Sequence, residues 1–460
     1  MGSGRQFWLE SIEPFAPEHP KVSLEGCDIA VIGGGLGGLW TSYYIAKANQ
    51  GLRIVLLERD RIGHGAATQN VGICHYALPG LESGWVEKHS NAATARLLRC
   101  YMIDTVDEYA RVFTEEGVEA HYRKTGVLHF ASSEAQLGRF CDDLRDDRAL
   151  GPDVSDFVRL SAAETRERVR LSRCSGAMYS SHCAHFHPGK AVVGLARACE
   201  RLGVEIREHT EVLGVQGHRV LTSAGPVTAE IVIDITEASP VARLERPVVI
   251  PIESYAIATE PLPQRFFDEV GWSGDETLLH ARRLFSCAVR TADDRVVLGG
   301  LKARYVTGLQ SGYPSADSAP IWEDMDRELL LYFEGLDGVR VTHRWSGVMA
   351  LTANQAVQVG FDAQSGHAFA RGFAAEGVAA ANLSARILRD LILGQDTDLT
   401  RLPLVCRPCE SAPLWPVEPL RRLGVSGAAA LTMRADESEV RHGHPTLTGR
   451  LAGRWLLKVF

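Results

Sequence analysis

No stretch of the 460-residue sequence approaches the about 18 consecutive apolar residues that a bilayer-spanning helix needs, which argues against membrane insertion. The opening MGSGRQFWLE lacks the apolar core of a signal peptide, and Gln6 breaks the myristoylation pattern, so the expected location is the cytoplasm. Cysteine is sparse: ten residues, scattered, do not make a disulfide framework, and in a reducing compartment they are expected as free, mostly buried thiols. No block of Lys or Arg stands out and the net charge is −8, which excludes nucleic acid as a main partner, because phosphate binding needs concentrated positive charge. Internal repeats and low-complexity tracts are missing as well. What remains, 45% hydrophobic and 23% charged, is an ordinary globular composition, long enough for two or three domains and for an interior that encloses a small molecule.

The chain opens loop-like, with Pro14, Pro17 and Pro20, and then turns regular. Asp28–Ile32 reads as a buried strand ending abruptly in glycines, Leu36–Ala48 as a helix, and Leu52–Leu57 as a second buried strand: one βαβ unit. Helical patterns recur over Asn91–Glu116, over Gly189–Arg201 behind Pro188, and over Gly377–Leu393; Val204–Ile206 and Val227–Ile235 read as strands. Residues 248–310 are rich in β-branched runs and predict an antiparallel sheet. The expected fold is α/β in two lobes, a Rossmann-like nucleotide-binding domain (25–85, 155–242 and 341–400) interleaved with an antiparallel substrate domain (86–154 and 243–340). The proline-rich residues 401–460 form a tail packed on the body.

Chemistry enters at IGGGLGGLW. Gly33, Gly35 and Gly38 fit G-x-G-x-x-G between strand and helix: the first permits the tight turn, the second lets a pyrophosphate approach the backbone, the third lets helix and sheet pack closely. The helix N-terminus then offers free N–H groups to phosphates. Glu58 ends the second strand 25 residues after Gly33, where a carboxylate holds ribose hydroxyls.

The run GGGLGGLWTSYYIAK…IVLLE, followed by G-x-G-A…QN-x-G, resembles the flavoprotein amine and amino-acid oxidase family that includes glycine, sarcosine and D-amino-acid oxidases. AHFHPGKAVVGLARACERLGVEI, VRTADDRVVLGG, RWSGVMALTANQ and GFAAEGVAAANLSARILRDLI continue the resemblance in order, and LWPVEPLRRLG is similar to a closing segment of gamma-glutamylputrescine-oxidase-type members. The resemblance spans residues 25–425 and implies FAD as cofactor, oxidation of a C–N bond of a small amine or amino acid by hydride transfer to flavin, and oxygen as the acceptor. It places the adenosine and pyrophosphate on Gly33, Gly35, Leu36, Gly38, Glu58 and Arg59, with Val212 holding adenine through its backbone. Gly65, Ala66, Gln69, Asn70 and Gly72 would pass beside the flavin ring. Glu376, Gly377 and Val378 would begin a helix whose positive end faces the ring's pyrimidine oxygen, negative in the reduced state.

For the substrate, Arg290 is a candidate partner of a carboxylate, Tyr255 a second candidate, and His75, directly after the flavin-side loop, a pocket histidine able to bind substrate or tune reoxidation. The chain departs from its relatives at Gln69, where they carry arginine, at Val297, where sarcosine-oxidase relatives carry lysine, at Leu301, where the hairpin's arginine falls, and near Val348, where a covalent cysteine would lie; FAD is therefore expected to be non-covalent. No metal is expected: His182, Cys183, His185 and His187 have spacings able to ligate zinc, but the resemblance puts them on the turn before a helix of the FAD domain. Cys406 and Cys409 form a single C-x-x-C whose partners, His442 and His444, lie far along the chain. Two other readings stay open: a flavin-dependent monooxygenase, although Val359–Asp362 lacks the Gly-Asp form that class carries, and a non-catalytic flavoprotein or scaffold.

Overall fold

The computed structural model describes residues 7–17, 26–81, 84–139, 157–238, 247–306, 319–336, 338–406 and 413–443. Two large sheets organise them. The first runs, from edge to edge, Val405–Cys406, Gln358–Asp362, His367–Arg371, Gly225–Asp234, Cys27–Ile32, Ile54–Leu57 and Glu205–Arg207, with the strands Val212–Gln216 and Arg219–Thr222 extending off Gly225–Asp234. Cys27–Ile32 is parallel to both its neighbours, Ile54–Leu57 and Gly225–Asp234. Ile29–Ile32 and Ile54–Leu57 are continuous apolar runs because both faces are covered. Ile29, Val31, Ile54, Leu56 and Ile233 pack under the helices Leu36–Ala48, Ala92–Glu115, Pro188–Arg201 and Gly377–Ile392, in one core with Trp40, Tyr43 and Tyr109.

The second sheet has eight strands, in the order Val341–Thr352, Val249–Thr259, Val296–Tyr305, Ser286–Arg290, Thr277–His280, Val127–Ala131, Gly176–Ser180 and Phe157–Ser161. It is antiparallel apart from the pairing of Thr277–His280 with Val127–Ala131. Alternation along its strands sorts side chains onto two faces. The outer face, with Phe130, Tyr255, Leu278, Ala288 and Leu298, lies under the helices Gln264–Val270 and Ala319–Tyr332, whose Tyr332 stands edge-on to Phe130. The inner face presents Met178, Leu279 and Cys287 to Val71, Ile73 and Tyr76 of the segment that follows the glycine-rich unit. Ala256, Val289, Val297 and Trp345 meet Val71 and Ile73 from the same side.

Two boundaries differ from the sequence expectation. Phe157–Ser161 and Gly176–Ser180, placed by sequence in the nucleotide-binding domain, hydrogen-bond into the substrate sheet. Val341–Thr352 does the same, pairing along the length of Val249–Thr259. The expected tail contains a helix, Leu420–His442, which holds Arg283 through Asp436 and Glu439. Among the described residues no helix is long and apolar enough to cross a membrane.

Candidate active site

Gly33 takes φ 110°, and a Cβ there would stand 2.7 Å from the Ile235 carbonyl. At Gly38 a Cβ would overlap the Gly33 carbonyl, so helix Leu36–Ala48 can pack this closely on its strand only without a side chain. Gly35 is different: its Cβ would meet only Ala67, at 3.9 Å. It is the N-cap of the helix, with no side-chain cap, so the N–H groups of the first turn point into open space. Glu58 lies alongside, one oxygen accepting the Gly34 N–H and the other the Asp60 N–H, each at 2.8 Å. Thr210 ties the Glu58 carbonyl to the segment leading into Val212, which packs with Ile32 and Leu57; Arg59 is exposed. This is a cradle for a dinucleotide at the carboxyl ends of parallel strands.

The segment Gly65–Gly72 crosses from this cradle to the inner face of the second sheet. Ala66–Gln69 forms one helical turn, and Asn70 closes it: Nδ2 donates to the Ala67 carbonyl and Oδ1 accepts the Gly72 N–H, each at 2.8 Å. Trp8 and Trp345 donate their indole N–H groups to the Asn70 and Gln69 carbonyls. The chain continues as the strand Ile73–His75, paired with Cys183–His185. His75 is buried; its Nδ1 lies 3.7 Å from Glu376 Oε2, with a long contact of 3.3 Å from the Ala77 N–H. Its ring is 5.4 Å from that of His129, an inner-face residue whose titration is held well below the ordinary histidine range by burial and by His75. Glu376 is the N-cap of helix Gly377–Ile392, and the first turn is fixed by the bond from the Tyr109 hydroxyl to the Val378 carbonyl, Tyr109 in turn receiving the Trp40 indole N–H.

The structure therefore brings together the cradle glycines, Glu58, the loop Gly65–Gly72, His75 and Glu376. It does not bring Tyr255 and Arg290 to them, and both expectations are corrected. Tyr255 points to the outer face, donates its hydroxyl to Glu253 at 2.6 Å and stands edge-on to Trp322 at 5.4 Å. Arg290 is on that face too, with its guanidinium over the Phe267 ring at 3.7 Å and paired with Asp294 at 2.6 Å and Asp275 at 3.3 Å. Sequence alternation reveals two faces of a strand but not which one meets the cofactor.

Of the cysteine and histidine clusters, His187 caps the helix Pro188–Arg201 and His185 lies buried in its strand, while Cys409 and His444 fall outside the described residues. Among the described residues no group of three or more His, Cys, Asp or Glu is placed to hold a metal ion.

Sequence reasoning missed Glu237. It follows the strand Gly225–Asp234 with φ 53°, accepts the Phe373 N–H at 2.8 Å, and has a second, buried oxygen with no partner. Burial pushes it up to about 8. The folded chain thus keeps Glu237 protonated where the unfolded chain ionises it. The stability this gives is full below the ordinary glutamate range and is lost as the pH rises through about 8. Glu237→Gln, neutral throughout, is expected to melt several degrees above the parent at pH 8 and close to it at pH 5; an equal difference at both would overturn the assignment.

Gln69 Nε2, His75 Nε2 and Glu237 Oε2 are buried without partners in the segments around the cradle, which is where FAD would bring donors and acceptors. With the open space at Gly35, the residues fit that group.

Comparison with known proteins agrees. The chain is 27% identical over 405 residues to gamma-glutamylputrescine oxidoreductase of Escherichia coli strain K12, covering 84% of this chain and 88% of that one. It is 26% identical over 418 residues to a protein of Haemophilus influenzae named probable oxidoreductase OrdL, covering 86% and 90%. In fold it is similar to glycine oxidase from Geobacillus kaustophilus, with TM-score 0.68, 18% identity, and coverage of 85% of this chain and all of that one. The pattern of the FAD-dependent oxidoreductase family known as DAO matches residues 28–391, the span that carries the glycine cradle, the Gly65–Gly72 loop and the helix behind Glu376, and the chain belongs to that family.

Proposed function

We propose that the protein oxidises a C–N bond of a small amine or amino acid. The likeness to gamma-glutamylputrescine oxidoreductase over most of both chains supports that substrate class. The observation that carries the reading is the His75–Glu376 pair, an imidazole and a carboxylate 3.7 Å apart at the inner face of the substrate sheet.

FAD, when bound, supplies the acceptor for a hydride leaving the carbon beside nitrogen. Gly33, Gly35, Leu36, Gly38 and Glu58 would hold its adenosine and pyrophosphate, Val212 and Arg59 flank that end, and Ala66, Gln69, Asn70 and Gly72 line the way to the ring. An ammonium ion has no lone pair to assist hydride departure, so a bound amine must first give up a proton. In the tautomer that carries its hydrogen on Nδ1, toward Glu376 Oε2, His75 Nε2, buried and without a protein partner, takes that proton, and Glu376 provides the counter-charge. The start of helix Gly377–Ile392, held by Tyr109, presents positive N–H groups to negative charge that develops nearby. Met178, Leu279 and Cys287, packed with Tyr76, Val71 and Ile73, give this side of the sheet an apolar surface. Val348 offers no thiol, and FAD is held without a covalent bond. The eight described cysteines are all free, which suits the cytoplasm.

The test is an absorbance spectrum of the purified protein followed by anaerobic addition of primary and secondary amines and amino acids. Bleaching of bound flavin by one of them is the expected result, and the speed of recolouring in air separates an oxidase from a dehydrogenase. Flavin bleached only by a nicotinamide cofactor, or by nothing in the panel, would overturn the proposal.

A further inference from the structure

A cavity of about 490 Å³ opens between the N-terminal turn, the strand Cys183–His185, the start of helix Pro188–Arg201 and the hairpin that follows Val289. None of Gln69, His75, His129, Glu237 or Glu376 lines it. Its volume is that of an ordinary small-molecule site.

Four cations line it, Arg123, Lys190, Arg290 and Arg295, against two carboxylates, Glu10 and Asp293. Most of this charge is already matched. Glu10 holds His343 at 3.0 Å, Asp293 holds Arg295 at 2.7 Å, and Asp275, behind the wall, holds both Arg123 and Arg290. Lys190 is the exception. Its ammonium contacts His121 Nε2 at 2.8 Å and has no carboxylate among the described residues. It also stands in the first turn of a 14-residue helix, where the backbone is already positive and a cation is unfavourable unless an anion joins it.

His185 gives an independent sign. It is only 7% exposed, it lines the cavity, and its Nε2 is buried with no partner. A buried ring nitrogen left without a partner costs free energy that a ligand would recover. His185 and His187 are both pushed down to about 4, chiefly by burial, so near neutral pH they are uncharged rings, each with one N–H. His187 is engaged already, with Nδ1 accepting the Lys190 N–H at 3.2 Å and Nε2 on the Ser11 hydroxyl at 3.0 Å. Phe7 and Trp8 form an aromatic wall.

We propose that this cavity is a second ligand site, for a small organic anion whose carboxylate or phosphate group is held by Lys190, the His185 ring N–H and the Gly189 N–H at the start of helix Pro188–Arg201, its body lying against Trp8 and Phe7. The ligand is distinct from the amine oxidised at His75 and from FAD.

The test is calorimetric titration of the FAD-loaded protein at low salt with succinate, inorganic phosphate and AMP. One of them is expected to bind with one-to-one stoichiometry; preference for succinate identifies a carboxylate ligand, and preference for phosphate or AMP a phosphate ligand. Lys190→Gln is expected to weaken that binding about 10-fold, the size of one charge-assisted contact, while flavin content and amine turnover stay at the parent level. It removes an unfavourable charge from a helix start, so the variant is expected to fold. His185→Asn, a second variant, is expected to weaken it comparably. Absence of binding by all three probes, or binding unchanged in both variants, would overturn the proposal.

Discussion

Gly35→Val is expected to give a folded but colourless protein, with flavin absorbance relative to protein at least about 10-fold below the parent. The reason is the asymmetry of the three motif glycines. At Gly35 a side chain meets only Ala67, at 3.9 Å, and the backbone there is extended, with φ −80° and ψ −176°, which valine adopts without strain. The added methyl groups enter the space left for the pyrophosphate and little else. Gly38→Ala is the contrasting variant: its Cβ overlaps the Gly33 carbonyl, helix Leu36–Ala48 must move off Cys27–Ile32, and fold and flavin are lost together. Circular dichroism and the visible spectrum of the two variants separate these outcomes. A yellow Gly35→Val protein would mean that the cofactor does not approach the backbone at this turn.

His75→Ala is expected to retain flavin and to lower the rate of anaerobic flavin bleaching by the best amine about 100-fold, the usual contribution of a positioned proton acceptor. Glu376→Gln, which removes the charge 3.7 Å from the ring, is expected to fall in the same direction by less. The pH profile distinguishes this role from mere packing. If His75 takes the ammonium proton, the deficit shrinks as the pH approaches the amine's own titration, where substrate arrives already neutral. A deficit constant from pH 7 to pH 10 would show that His75 shapes the pocket without moving a proton.

The parts of this arrangement legible in the sequence are those fixed by local chemistry. Buried strands, a glycine turn and a carboxylate at a set spacing lie within Cys27–Glu58, and the structure reproduces them within a residue or two. His75 and Glu376 could be singled out because each adjoins a recognisable segment, but nothing in the sequence pairs one with the other. Tyr255 and Arg290 were misplaced because facing is decided by pairing far along the chain, and a bulge between Ser254 and Tyr255 shifts the register just where it matters. Phe157–Ser161 and Gly176–Ser180 were assigned to the wrong lobe for a related reason: nothing in a short alternating run says which sheet it will join. Glu237 gave no signal at all, since an acidic residue after a strand is ordinarily solvated, and its significance depends on burial by Phe373 and its neighbours.

The strand order of the first sheet also constrains how the molecule is made. Cys27–Ile32 leaves the ribosome early, but one of its two flanking strands, Gly225–Asp234, is about two hundred residues downstream, and His367–Arg371 comes later still. At ordinary elongation speeds of about 5–20 residues per second the first strand waits roughly 10–40 s for that neighbour. Throughout that interval the strand has one edge with unsatisfied amides. An open strand edge of this kind is a template for wrong pairing, and slowing synthesis between the two strands lengthens its exposure in direct proportion.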